Sequence, residues 1–312
     1  MAYVIRKLVG LIITLLIVTI LVFLVFEIIP GDPARRLLGT EATAEQVEAL
    51  RTEMGLNRPL PIRYGAWVAD FMRGDMGMSF GFHVPVQSMI VNRLPITIVL
   101  TAFSFLFILV LSLPISLLSV RFFHSIPDKI MLVLNQIVMS VPQFFIGILF
   151  TFLFGLVLRW FVPGGYVSFM DSWSGFLAYL ILPALAIALP RAAMTVKLLR
   201  NALLAELDKE YVKTARSRGN GQWRILIKHV LKNGFIPVIT FMGMTLADLI
   251  TGSIVIEQVF GIPGIGRILI TSIANRDYPM VQAIIVLIAM VILVINVLVD
   301  ILYHKFDKRI VV

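Results

Sequence analysis

The sequence contains no cysteine, which removes disulfides, thiolate metal sites and cysteine nucleophiles at once. Charge is scarce as well. Asp, Glu, Lys and Arg make up 14% of 312 residues, against about 25% in a soluble domain whose surface must be hydrated. Acidic residues are the rarer sign, 18 against 27 basic, for a formal net charge of +9. The dipeptide Gly-Lys does not occur, so there is no GxxxxGK[ST] and no P-loop. The four histidines, His83, His124, His229 and His304, are far apart and lack HExxH spacing, so no metal site is expected. Nothing points to covalent or hydrolytic catalysis by this chain, and no catalytic residue is assigned.

What the sequence has in excess is apolar residues: 59% of the chain, with a mean hydropathy of +0.95. Such a chain cannot cover a water-facing surface, so most of it must face lipid. That excludes a soluble enzyme, a disordered hub and a nucleic-acid module. The basic excess has a topological explanation, because membrane proteins collect Lys and Arg on their cytoplasmic loops. A spanning helix needs about 20 mainly apolar residues. Six stretches qualify: Leu8–Ile29, Ile96–Val120, Ile130–Leu158, Phe176–Val196, Phe235–Ile256 and Met280–Tyr303. The first follows Arg6 and Lys7 as a signal peptide would, but it exceeds a secretory apolar core and no small-x-small site follows. It is expected to be a retained span. If the spans alternate, all nine lysines fall on one side, with 16 basic residues there in total. That side is expected to be the cytoplasm, with both termini inside.

Two connecting segments are too long to be turns. Gly31–Pro95, on the outer side, has seven basic and seven acidic residues. Thr43 and Gln46 form a capping-box pattern, with Gly55 at the C′ position of the helix that follows. Beyond Pro59 and Pro61, Tyr64, Trp67, Val68 and Phe71 predict a second short helix. A small cap on the outer mouth and a spacer over lipid headgroups are both open. The inner segment, Lys197–Lys232, has nine basic and three acidic residues. Leu204, Leu207, Tyr211 and Ala215 share one helical face, Gly219-Asn220-Gly221 breaks the chain, and Trp223, Leu226, Ile227, Val230 and Leu231 form a second apolar stripe. Such a pair of helices can lie on anionic lipid, pack under the bundle, or present a surface to a cytoplasmic protein.

Ionisable groups within spans are costly and are functional suspects by default. Asp248 in span five and Asp300 in span six lie well within apolar runs. Asp248 fits either the lining of a translocation path or a bond to Thr245, Thr251 or a neighbouring helix. Asp300, close to His304 and Lys305, reads as structural. Glu27 and Glu257 sit near outer span ends, where water is expected to reach, and Glu257 is a second path candidate. Gly261, Gly264 and Gly266 do not fit GxGxxG and read as an outer turn. Pro114, Pro142, Pro183 and Pro190 interrupt spans two to four. The two halves show no convincing match, which weighs against a stand-alone ion-coupled carrier.

Within the inner segment, Glu210-Tyr211-Val212-Lys213-Thr214-Ala215-Arg216-Ser217-Arg218-Gly219 resembles the EAA loop of permease subunits in ATP-binding-cassette (ABC) importers. The variant it resembles is that of the dipeptide, oligopeptide and nickel permease family, and its first-permease subunit in particular. Further matches run along nearly the whole chain: Pro30-Gly31-Asp32-Pro33, Gly55-Leu56, Pro59-Leu60, Tyr64, Trp67 and Gly74 to Phe80. They continue with Thr251-Gly252-Ser253, Glu257, Phe260, Pro263 to Arg267, Arg276-Asp277-Tyr278-Pro279, Asn296, Asp300, Tyr303, Asp307 and Arg309. His229 and Lys232 depart from the general EAA pattern, and Lys308 stands where relatives commonly have proline.

The resemblance implies an all-α integral membrane protein of the type I ABC importer permease fold, with six transmembrane helices. Its parts would be an N-terminus and first helix (1–29), a helical insert (30–95), helices two to four (96–196), the coupling loop (197–234), helices five and six (235–303) and a tail (304–312). Expected partners are a second, similar permease, two cytoplasmic ATPases, an extracytoplasmic peptide-binding protein and membrane lipid, and no nucleic acid. No cofactor is expected on this chain, ATP and Mg2+ belonging to the ATPases. Glu210, Tyr211, Thr214, Ala215, Arg216, Arg218 and Gly219 would form the ATPase-coupling loop, with Ala215 allowing close approach and Gly219 a tight exit. Asp248 and Glu257 would be path candidates. Import of di- or oligopeptides is the leading expectation, and a nickel or metal-chelate importer the alternative.

Overall fold

The structure is a computed structural model that describes residues 2–28, 33–39 and 42–306. Pro30-Gly31-Asp32 and Asp307, Lys308 and Arg309 lie outside the described residues, as does Ile29 at the end of the first expected span. Among the described residues the regular structure is helical: α1 (Ala2–Ile28), α2 (Pro33–Leu38), α3 (Ala44–Glu53), α4 (Leu60–Met72), α5 (Val86–Arg121), α6 (Ile126–Ser140), α7 (Gln143–Phe150), α8 (Trp173–Leu207), α9 (Glu210–Ser217), α10 (Gln222–Ile225), α11 (Leu231–Gly234), α12 (Ile236–Phe260), α13 (Ile265–Ala274) and α14 (Tyr278–Phe306). π-helical turns follow α7 over Thr151–Val157 and join α10 to α11 over Leu226–Val230.

Among the described residues five helices are long and apolar enough to cross a membrane, and α6 with α7 makes a sixth span if the bent pair is counted as one. The bend is 98° and corrects the expectation of one continuous third span. Pro142 has no N–H for the helical ladder, and the residue before a proline is driven out of the helical region. Val141 accordingly has φ −86° and ψ 125°. The prolines inside α5 and α8 do not break their helices. Pro95, Pro114, Pro183 and Pro190 each follow a leucine, whereas Pro142 follows β-branched Val141, which already favours extended backbone.

The chain divides into two compact units: the described residues up to Pro95 with Ile268–Val297, and Ile96–Arg267 with the described residues from Leu298. The boundary falls inside α5, α13 and α14. In the first unit α1 turns apolar residues such as Ile12, Leu16 and Leu21 outward, as a lipid-facing helix does. Its other face meets α4: Phe23 packs edge-on to Tyr64 with centroids 5.6 Å apart, and the Thr19 and Tyr64 hydroxyls are 2.9 Å apart. Arg63 donates two hydrogen bonds, of 2.8 and 2.6 Å, to Glu27. Before α4, the capping box forms as read, with the Gln46 N–H donating to Thr43 and the Thr43 N–H to Gln46. Gly55, at φ +67°, closes the helix while the Leu56 N–H bonds the Arg51 carbonyl.

Two distant stretches singled out in the sequence meet in this unit. Buried Asp277 accepts hydrogen bonds from the Ser79 hydroxyl, from the Phe80 N–H at 3.0 Å and from the Gly81 N–H at 3.3 Å. A carboxylate satisfied by two backbone donors and a hydroxyl is a stable buried arrangement.

The second unit is a bundle in which α8 packs against α12, α6 and α7. Without a hydrophobic drive between helices in lipid, close packing of small residues does the joining. Ala184, Ala186, Ala188, Ala192 and Ala193 on α8 are buried. A Cβ on Gly147 of α7 would come within 2.9 Å of Ile256 on α12.

Candidate functional site

The segment expected to couple to a partner begins where α8 ends. Asp208 caps α8, Lys209 is extended, and α9 starts afresh at Glu210. Because the helix restarts, the face expected from Leu204, Leu207, Tyr211 and Ala215 does not run on. Val212 and Ala215 are the buried pair of α9, and Tyr211 lies at the surface. Ala215 therefore uses its small size to pack α9 against its own chain. Glu210, Thr214, Arg216 and Arg218 remain exposed. Gly219, at φ +79°, ends α9 with its N–H on the Arg216 carbonyl at 3.0 Å, and Asn220 Nδ2 donates to the Ala215 carbonyl at 2.9 Å.

Tyr211 fastens the helix at both sides. Its hydroxyl donates to Glu206 Oε2 at the end of α8 (2.6 Å) and accepts from Asn233 Nδ2 on α11 (3.2 Å). Burial pushes the Tyr211 phenol above its ordinary pKa, which keeps it a donor to that carboxylate. Lys209 also donates to Glu206, which raises the lysine above its usual range. The π-turns after α10 widen the helix by one residue and rotate its stripe. As a result Ile225, Leu226 and Val230 are buried, while Trp223 and Ile227 face out. The outward surface of 210–228 thus joins Trp223 and Ile227 with Lys213, Arg216, Arg218, Arg224 and Lys228.

About two turns before α8 ends, Arg200 holds a buried cluster that sequence reasoning missed. Its Nη2 donates to Asp128 Oδ2 (2.9 Å) and its Nε to the Ser119 hydroxyl (2.8 Å). Asp128 also accepts from the His124 N–H at 3.1 Å, and the guanidinium stands 5.2 Å from the Phe123 ring centre. The end of α5, the start of α6 and α8 are thereby fixed together. A buried ion pair persists only with its remaining bonds satisfied, as here.

The two carboxylates proposed from the sequence part company. Asp248 lies on the side of α12 that the rest of the chain leaves open, paired at 3.1 Å with Arg191 of α8; their side chains are 52% and 31% exposed. Met244, Thr251, Val255 and Gln258 share that open side. The bond to a neighbouring helix and the exposed position are both present. Arg191 was passed over because it follows Pro190 close to an expected span end.

Glu257, expected where water reaches, is instead fully buried. It accepts from Thr97 Oγ1 (2.6 Å), the Gly266 N–H (2.7 Å) and the Arg267 N–H (3.1 Å), while the Ile265 N–H donates to Thr97 at 2.9 Å. The carboxylate caps the start of α13. The glycines read as a turn are needed for it: a Cβ on Gly264 would lie 2.3 Å from Glu257, and one on Gly266 2.3 Å from the Ile254 backbone. Asp300 is half-buried. Among the described residues no group of three His, Cys, Asp or Glu side chains is placed to hold a metal ion.

The binding-protein-dependent transport system inner membrane component family matches residues 112–312, and its N-terminal membrane-component family matches residues 1–101. A putative peptide transport system permease protein of Brucella abortus is 37% identical over 309 residues, covering 99% of this chain and 98% of the relative. A probable peptide ABC transporter permease protein of Sinorhizobium fredii is 34% identical over 308 residues, with the same coverage. The glutathione transport system permease protein of Escherichia coli is 36% identical over 308 residues, again covering 99% and 98%.

Proposed function

The chain belongs to the family of binding-protein-dependent transport system inner membrane components, and we propose that it is the permease subunit of an ABC importer that carries short peptides across the cell membrane. It is a multi-pass membrane protein and not itself the catalyst. In this reading it forms the path with a second, similar permease. Two cytoplasmic ATPases drive the pair, and a binding protein delivers substrate from outside. Both termini and the 197–234 segment lie in the cytoplasm. The relatives named for peptides and for glutathione, itself a tripeptide, favour a short peptide as the cargo.

The observation that carries the reading is the mounting of α9. Its outer surface is basic and free of intrachain cover, while Tyr211 bonds it to α8 and α11. A short helix clipped on both sides transmits an ATPase's closure as rigid-body motion, because packed elements shift as units and do not deform continuously. Arg216 and Arg218 suit acidic ATPase groups, and Trp223 and Ile227 supply apolar contact.

Uptake of a labelled di- or tripeptide is measured in the source organism with and without this chain. Loss of uptake on deletion, restored by re-expression, is the expected result. Unchanged uptake, in cells lacking a redundant peptide importer, would transfer the reading to nickel or a metal chelate.

A further inference from the structure

Asp248 stands twelve residues from either end of α12 (Ile236–Phe260), roughly 18 Å along the axis at 1.5 Å per residue. Arg191 lies on α8 five residues before the end of the apolar run Phe176–Val196, and its side chain reaches Asp248 at 3.1 Å. The pair therefore lies within the apolar runs of two spans, Asp248 at the middle of its own, and both members are partly exposed. Lipid does not tolerate that position. Charged groups at membrane depth face water-filled cavities or polar protein. The other outward faces support the contrast, since α1 and α7 show lipid residues such as Ile12, Leu16, Ile148 and Leu149.

The pair is also not built as a structural clasp. Arg63–Glu27 is joined by two hydrogen bonds, and Arg200–Asp128 is wrapped by Ser119 and a backbone N–H. Arg191 and Asp248 share an ion contact of 3.1 Å at an open face. A guanidinium has five N–H donors, of which one carboxylate uses at most two. Arg191 keeps donors in the fork geometry that binds a second carboxylate, and a carboxylate such as Asp248 accepts several ammonium hydrogens. Met244, one turn away on the same face, is an adaptable apolar neighbour.

We propose that Arg191 and Asp248 form a way-station for the charged termini of the peptide, Asp248 taking the α-ammonium and Arg191 the α-carboxylate as the resting pair opens. The proposal rests on the peptide-import reading above. Its chemistry is an exchange of partners: the internal ion pair is replaced by two pairs with the substrate, so no charge is left uncompensated in a low-dielectric passage. Every linear peptide carries the same two termini, so such a station passes many sequences. Selection among side chains is left to other parts of the importer.

The test uses the assembled importer in proteoliposomes, with Arg191→Gln, Asp248→Asn and the double variant, and a labelled free dipeptide as probe. Removing one member of a structural ion pair strands the other, whereas removing both is close to neutral. A purely structural pair therefore predicts recovery in the double variant. The station predicts that all three variants assemble with their partners and hydrolyse ATP as the wild type does. It also predicts that each imports peptide roughly tenfold more slowly or worse, the loss expected for a charge-assisted hydrogen bond. Wild-type import by the double variant would overturn the station and leave the import reading standing. Failure of the double variant to assemble would overturn it in favour of a permease–permease contact at this face. No peptide import by the wild-type assembly, with ATPase activity intact, would overturn both.

Discussion

Glu257 is a fully buried carboxylate near the end of α12, held by Thr97 Oγ1 and by two backbone N–H groups. A carboxylate near a span end ordinarily meets water. The chain after α12 instead folds back so that the Gly266 and Arg267 N–H groups donate to it, and Thr97 of α5 adds its hydroxyl. The glycines were legible as a turn, but that the turn closes on a buried anion depends on packing 160 residues apart in sequence, between Thr97 and Glu257. The arrangement sets a stability prediction. Gly264→Ala forces a methyl into the Glu257 carboxylate, and Glu257→Ala strands buried donors at about 1–3 kcal/mol each. Both variants should melt well below the wild type in detergent-solubilised importer. Gly221→Ala, with φ −65° and open space around it, should stay within about 0.5 kcal/mol of it. Equal melting of all three would show that Glu257 does not hold the turn.

At the scale of elements, local chemistry was readable and face direction was not. The Thr43 capping box and the Gly55 stop were written in single residues and formed as read. The apolar stripes of 204–215 and 222–231 followed unbroken helical periods, and the helix restart at Lys209 and the π-turns at 226–230 reset both. Periodicity does not announce a one-residue insertion. The observed geometry makes α9 testable as a lever. Gly219→Pro removes the N–H on Arg216 and imposes φ near −65° where +79° is found. Gly219→Ala has room for its methyl and meets only the left-handed penalty of about 1–2 kcal/mol. The proline variant should hydrolyse ATP with little or no uptake, and the alanine variant should transport at a modest deficit. Tyr211→Phe, which loses the bonds to Glu206 and Asn233, should fall between them, at severalfold more ATP hydrolysed per peptide imported. Tight coupling in the proline variant at normal membrane levels would remove α9 from the coupling role.

For the whole molecule, six apolar runs were legible in the sequence; among the described residues five are single helices long enough to cross, and the third is a pair bent by 98° that only the Val141-Pro142 step foreshadowed. Orientation came from charge alone: 16 basic residues on one side and a neutral insert on the other. Positive charge resists translocation during insertion, so the asymmetry predicts that α9 and both termini stay on the side on which the chain was made. The lack of cysteine turns this into a clean measurement, because an introduced cysteine is the only thiol a maleimide meets on this chain once it is isolated. Arg73 just after α4 and Lys213 on α9 have side chains 77% and 63% exposed, so either position tolerates cysteine and remains open to reagent. An impermeant maleimide added to intact cells, or to spheroplasts where an outer membrane intervenes, should label Arg73→Cys. It should reach Lys213→Cys only after the membrane is permeabilised. The reverse pattern would place α9 on the side away from ATP. No cytoplasmic ATPase could then grip it, whatever the sequence of its loop resembles.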